Sequence, residues 1–105
     1  MAHRVEFARK ATRDIFAIEK WILPLGQHVV ARWQLQLSRA VRELRDHPGR
    51  FAEARETEKF GLDLRELLFG NRPHLYRVLF KIDGNTVSVL GILYATHGEL
   101  HEEDL

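Results

Sequence analysis

The sequence has no cysteine, which excludes disulfides, thiolate nucleophiles and cysteine-built zinc sites and leaves stability to packing. It has no apolar run of bilayer-spanning length, and its opening residues, MAHRVEFARK, lack the apolar stretch of a signal peptide. A cytoplasmic protein with no membrane partner is expected. There is no glycine-rich phosphate loop, no G-x-S-x-G elbow and no dinucleotide fingerprint. Cofactor chemistry is therefore not expected, and no cofactor is assigned. A large excess of charge is also missing, since 16 Lys and Arg face 15 Asp and Glu.

What is present suits one small domain. The 105 residues can bury one modest core, so residues 1–105 are read as a single domain. The charge is unevenly spread: residues 99–105 (ELHEEDL) hold Glu99, Glu102, Glu103 and Asp104 without a Lys or Arg. Residues 1–98 then carry 16 bases against 11 acids, a net of +5. Most of those bases are arginine, whose planar fork suits carboxylate or phosphate. The tail is expected either to screen Arg65, Arg72 and Arg77 from polyanions or to fray into solvent.

The hydrophobic period changes along the chain. Val5 and Phe7 alternate with polar neighbours and predict a short first strand. Ile15, Ile18, Trp21, Ile22 and Leu25 recur at helical spacing, with Thr12 as the expected N-cap, Asp14 in the first turn and Pro24-Leu25-Gly26 as the stop. Val30, Trp33, Leu37, Ala40, Val41 and Leu44 predict a second helix ended by His47-Pro48-Gly49. The two should form an antiparallel hairpin with Arg32, Arg39, Arg42 and Arg45 outside and both tryptophans in the core. Residues 49–61 are polar, read as a loop anchored by Phe51 and Phe60. Beyond them Leu64–Phe69, Leu75–Ile82 and Thr86–Tyr94 read as strands, joined by turns at Gly70–Pro73 and Asp83–Asn85. The fold class is α+β, a helical hairpin on an antiparallel meander.

Within the middle strand, Tyr76, Val78, Phe80 and Ile82 share one face and are assigned to the helices, while Arg77 lies on the other. An unpaired guanidinium is costly to bury, so Arg77 is expected on an accessible, concave face, facing solvent or a ligand, with Asp63 or Glu66 as alternative partners. On that reading Arg77→Ala costs little stability. His97 and His101 have the i,i+4 spacing of a metal pair, but no third ligand is fixed by spacing and no metal site is expected.

Two helices followed by LRELLFGNRPHLYRVLFKIDGNTVSVL resemble the RelE/ParE superfamily of toxins from type II toxin-antitoxin modules. Leu64–Leu67, Gly70, Tyr76–Phe80 and Val87–Leu90 carry the likeness. It implies a cognate antitoxin partner, with the groove between helical hairpin and sheet as its seat, and a free toxin able to form a homodimer. It also implies one of two targets. ParE-like members poison DNA gyrase; RelE-like members cut messenger RNA on the ribosome with a cluster of basic residues, one at the position of Arg77. Arg77, Arg65 and Arg72 are thus the candidate target-binding residues, and Arg77, Arg65 and His97 the catalytic ones if the chain is a metal-independent endoribonuclease. Arginine cannot shuttle protons near neutrality, and no lysine lies between Lys59 and Lys81. His97 is left as the main titrating group, with Glu66 or Glu99 behind it. The gyrase branch is favoured over the RNase branch, and a toxin turned inactive regulatory partner is the third reading.

Overall fold

The structure, a computed structural model, describes residues 2–72, 74–96 and 100–104. Alternation in Arg4–Phe7 (β1) turns Val5 and Phe7 toward the main core. A tight junction then starts the first helix, Arg9–Ile22 (α1), because the Ala8 N–H is already committed to the Val89 carbonyl at 2.9 Å. The helix therefore begins a turn earlier than expected. Thr12 is not the N-cap: its N–H donates to the Ala8 carbonyl as an ordinary helical bond, and the cap position is Ala8. Asp14 consequently sits beyond the first turn, where it does something else.

A 3-10 turn at Leu23–Leu25 and Gly26, whose φ of 123° favours glycine, reverse the chain into Gln27–Asp46 (α2). Ala11, Ile18 and Ile22 of α1 and Trp33, Ala40 and Leu44 of α2 are buried. Trp21 is not. It lies about 100° round the helix from Ile22, off the buried stripe, and is 71% exposed, which corrects the assignment of both tryptophans to the core. Phe16, Leu23 and Leu25 are exposed beside it in sequence.

The sheet is mixed, in the order β1-β4-β3-β2, with Arg65–Asn71 (β2), His74–Asp83 (β3) and Thr86–Tyr94 (β4) forming the antiparallel meander. β1 adds to it in parallel, Val5 against Val87 and Phe7 against Val89. A parallel neighbour needs a long crossover, and the helical hairpin is part of that crossover. Tyr76, Val78 and Phe80 pack on the helices with Leu67, Phe69, Val87, Val89 and Ile92. In β4 the buried parity switches from Val87 and Val89 to Ile92 because the register slips between Leu79 and Phe80, leaving Leu90 as an extra residue. Leu90 turns to the other face, and Asp14 accepts a hydrogen bond from the Ile92 N–H at 2.9 Å and an ion pair from Lys10 at 2.8 Å. Gly91 leaves room for this approach, since a Cβ there would stand 3.3 Å from Asp14 Oδ2.

The second face of the sheet is not open. Leu64, Leu79 and Leu90 form a smaller core there with Ala54 and Leu100, flanked by Phe60 and Leu93. The segment read as a loop folds over this face and contains a five-residue helix, Glu56–Phe60 (α3), ended by Gly61 at φ 67°. So short a helix is not stable by itself, and tertiary bonds hold it: the Thr57 hydroxyl donates to the Leu64 carbonyl at 2.7 Å and accepts from its N–H at 2.9 Å. Leu100, at 0% exposure, ties the acidic tail to this core, so the picture of a wholly frayed terminus is corrected. Leu100→Ala is expected to cost about 2–5 kcal/mol by opening a cavity in that core. Urea unfolding checks this; a loss near the ~0.5 kcal/mol typical of surface changes would mean that the tail is free in solution.

Candidate functional site

The strand alternation places Arg77 on the face opposite the helices, and α3 closes that face. Arg77 is 1% exposed. Its Nη1 donates to Glu56 Oε1 at 2.9 Å and Glu66 Oε1 at 3.2 Å, and its Nη2 donates to Glu56 Oε2. The fork of Arg77 on Glu56 is thus bidentate, the geometry that makes such pairs strong. Burial pushes the Glu56 carboxyl up, but hydrogen bonds from Arg77 and from its own backbone, the Arg77 charge and a backbone hydrogen bond from Leu100 outweigh it, and the group lies below the usual Glu range. Burial likewise pulls the Arg77 guanidinium down, and Glu56 and Glu66 together more than restore it, so Arg77 stays charged. The expectation of an accessible Arg77 is corrected: its guanidinium is closed in against two carboxylates.

The other predicted residues do not join it. Arg65 pairs across the sheet with Phe80 on the helix face, whereas Arg77 pairs with Leu68 on the opposite one. Its Nη1 donates to the carbonyls of Gly49 at 3.1 Å and Phe51 at 3.0 Å. Arg72 is exposed at the β2–β3 turn. His97 and Glu99 lie outside the described residues, as does the side chain of Glu102. Among the described residues no group of His, Asp and Glu could hold a metal.

A second constellation lies where α2 passes the β2–β3 hairpin. Trp33 stands 6.0 Å from Phe69 and 5.9 Å from Tyr76, ring centre to ring centre, and Tyr76 stands 4.9 Å from Tyr94. Burial, with Tyr94 beside it, pushes the Tyr76 hydroxyl up and keeps it neutral. Above this aromatic floor is a cavity of about 180 Å³ lined by Val29, Arg32, Trp33, Arg72, His74 and Tyr76 among others. Trp33 Nε1 is buried without a hydrogen-bond partner among the described residues. Gln36 also lines the next depression, about 590 Å³, between Arg39, Arg42 and Arg50 of the helical side and Phe51, Leu67, Leu68 and Phe69. The two make one trough along α2. Arg50 is held by Glu43 at 2.5 Å, while Arg32, Arg39 and Arg42 make no ion pair among the described residues and are exposed. An apolar floor under a cationic rim suits an acidic amphipathic segment better than it suits acid–base catalysis.

Sequence reasoning placed the trough's arginines outside the helices and named the hairpin–sheet groove, but it missed Glu56. Nothing local marks that residue among the charges of residues 53–59. The signal was the cost of burying Arg77 alone.

Comparison with known proteins gives two findings. A family described as "ParE toxin of type II toxin-antitoxin system, parDE" matches residues 5–97. A solved structure described as a chromosomal ParDE TA system from P. aeruginosa superposes with a TM-score of 0.67 at 22% identity, covering 87% of this chain and 94% of that one. No curated protein matches the sequence significantly.

Two stability effects follow from the closed cluster. Arg77→Ala leaves Glu56 buried without its cation and is expected to destabilise by about 3–5 kcal/mol, read by urea unfolding. The folded Glu56 pKa is depressed, so its contribution is present above the unfolded Glu value of about 4.3 and is lost as pH falls through the lower folded value. Stability should therefore fall with acid, and Glu56→Gln should show a shallower acid limb; identical limbs in both proteins would show that the pair contributes nothing to it.

Proposed function

Because the chain belongs to the ParE toxin family of type II toxin-antitoxin systems, we propose that it inhibits bacterial growth by acting on DNA gyrase and that a cognate antitoxin neutralises it. The observation that carries the choice of target is the closed Arg77 cluster. A ribonuclease that splits a phosphodiester through the 2′-hydroxyl needs cations facing the phosphorane and groups that move protons. Here the arginine at that position is occupied by Glu56 and Glu66, and Arg65 faces the other side of the sheet and is held by main-chain carbonyls. Blockade by binding needs neither feature.

The trough beside α2 is the seat we assign to the antitoxin. Its arginines suit the acidic side chains of a partner, and its aromatic floor suits apolar anchors. Exposed Trp21, Leu23 and Leu25 at the tip of the helical hairpin extend the apolar surface a partner could cover. The same surface gives the free toxin a route to self-association.

Inducible expression in a bacterial host is expected to arrest growth, the purified protein to inhibit supercoiling by gyrase, and co-expression with the product of the neighbouring gene to restore growth. Ribosome-dependent cleavage of a message with supercoiling untouched would overturn the gyrase reading in favour of the RNase one. Normal growth with or without the antitoxin would leave only the inactive, regulatory partner.

A further inference from the structure

We propose that the outer face of α1 is a binding surface for single-stranded DNA, with phosphates held by Arg9, Arg13 and Lys20 and a base stacked on Trp21. It stands apart from the gyrase and antitoxin readings, since it concerns the free chain. α1 carries four bases, Arg9, Lys10, Arg13 and Lys20, and two acids, Asp14 and Glu19. Both acids are committed elsewhere. Asp14 pairs with the Lys10 ammonium at 2.8 Å and accepts from the Ile92 N–H at 2.9 Å, and Glu19 accepts from Gln34 of α2 at 2.6 Å. Arg9, Arg13 and Lys20 are exposed and make no ion pair among the described residues. At about 100° per residue they lie with Phe16 within about 60° of arc, opposite the buried Ala11, Ile18 and Ile22. The helix thus gathers its uncompensated charge on the side away from the core.

Phe16 and Trp21 are the exposed aromatic residues among those described, and they flank this row of cations. Trp21 walls a depression of about 560 Å³ with Ala17, Lys20 and Pro24, and no acid lines it. A ring beside cations is a platform on which any base can stack while its phosphates meet the charges. Bases of a duplex are already stacked on one another, so the platform suits a single strand. With both carboxylates of α1 committed, neither is free to accept from a 2′-hydroxyl, the group that marks RNA, and DNA is the assigned source. A lipid surface fits less well: an interfacial helix sinks one apolar face, whereas the apolar face of α1 lies in the core and cations separate Phe16 from Trp21. Two copies of this chain joined through the same patch would set three cations against three more.

The test titrates the free full chain against a short labelled oligothymidylate, with anisotropy giving the affinity and tryptophan fluorescence the site, since Trp21 is exposed and the other tryptophan, Trp33, is buried. Saturable binding with quenching is expected, and its logarithm should fall with log salt at a slope of about −2, the value for three phosphates on a single strand. Arg13→Glu with Lys20→Glu should weaken binding by about tenfold or more and flatten that slope. Trp21→Ala should cost about fivefold or more, and Trp21→Phe, which keeps a ring, should recover most of the loss. These positions are exposed, so melting temperatures measured alongside should match the parent. Arg39→Glu with Arg42→Glu makes the same charge change on α2 and should lower affinity far less. An equal loss there, or an unchanged affinity in Trp21→Ala, would reduce the effect to overall charge and overturn the proposal. Absence of binding would overturn it too, as would a tighter hold on RNA of matching sequence, duplex DNA, polyglutamate or phosphatidylglycerol vesicles.

Discussion

A guanidinium cannot be buried alone, and the covered face of this sheet is organised around that rule. Arg77 sits mid-strand among apolar residues, and its desolvation is tolerated because α3 delivers a bidentate carboxylate from Glu56 while β2 delivers Glu66. Delivering Glu56 brings the 52–64 segment over the sheet, and that cover in turn buries Ala54 and Leu64 against Leu79 and Leu90. A charge requirement and a hydrophobic core are satisfied by the same few residues. The sheet is covered on both faces for this reason, although only one face carries long helices.

The two sides of the molecule are coupled through β4. The extra residue at Leu90 hands one side chain to the small core, and the displaced Ile92 N–H is taken by Asp14 of α1. A bulge, an acid on a helix and a glycine that lets them meet are thus a single device. The trough on the helix side depends on it indirectly, because α1 positions the helical hairpin whose second helix forms the trough wall.

Most of the architecture was legible where periodicity is strong. The helical stripe of Ile15, Ile18 and Ile22, the helix-facing set Tyr76, Val78, Phe80 and Ile82 and the glycine-bearing hairpin at Gly84 all appear in the fold in the roles their spacing predicts. Most of the failures share a cause, a contact far away in sequence. Thr12 lost the cap because Ala8 bonds Val89. Trp21 is the local exception: it shares the helical spacing of Ile15, Ile18 and Ile22, yet it lies at the margin of their stripe, about 100° round the helix from Ile22, and spacing does not say where a stripe ends. Arg77 was placed on an open face because alternation specifies a side of the sheet but not what lies over it, and its partner Glu56 is in a stretch with no period of its own. The trough was legible in outline, as a groove between helical hairpin and sheet, while its depth depends on the packing of Trp33, Phe69 and Tyr76.

The parallel seam between β1 and β4 bears on the order in which the fold can close. Val5 lies against Val87, with the helical hairpin and the other two strands of the sheet between them in the chain. Synthesis proceeds from the N-terminus, so β1 is made well before the strand it lies against. The helical hairpin can form from local contacts, but the sheet cannot close until β4 has been made, and contacts so distant in sequence must meet the entropy of loop closure before they stabilise anything. Until then the inner face of the helices has no complete sheet to cover it.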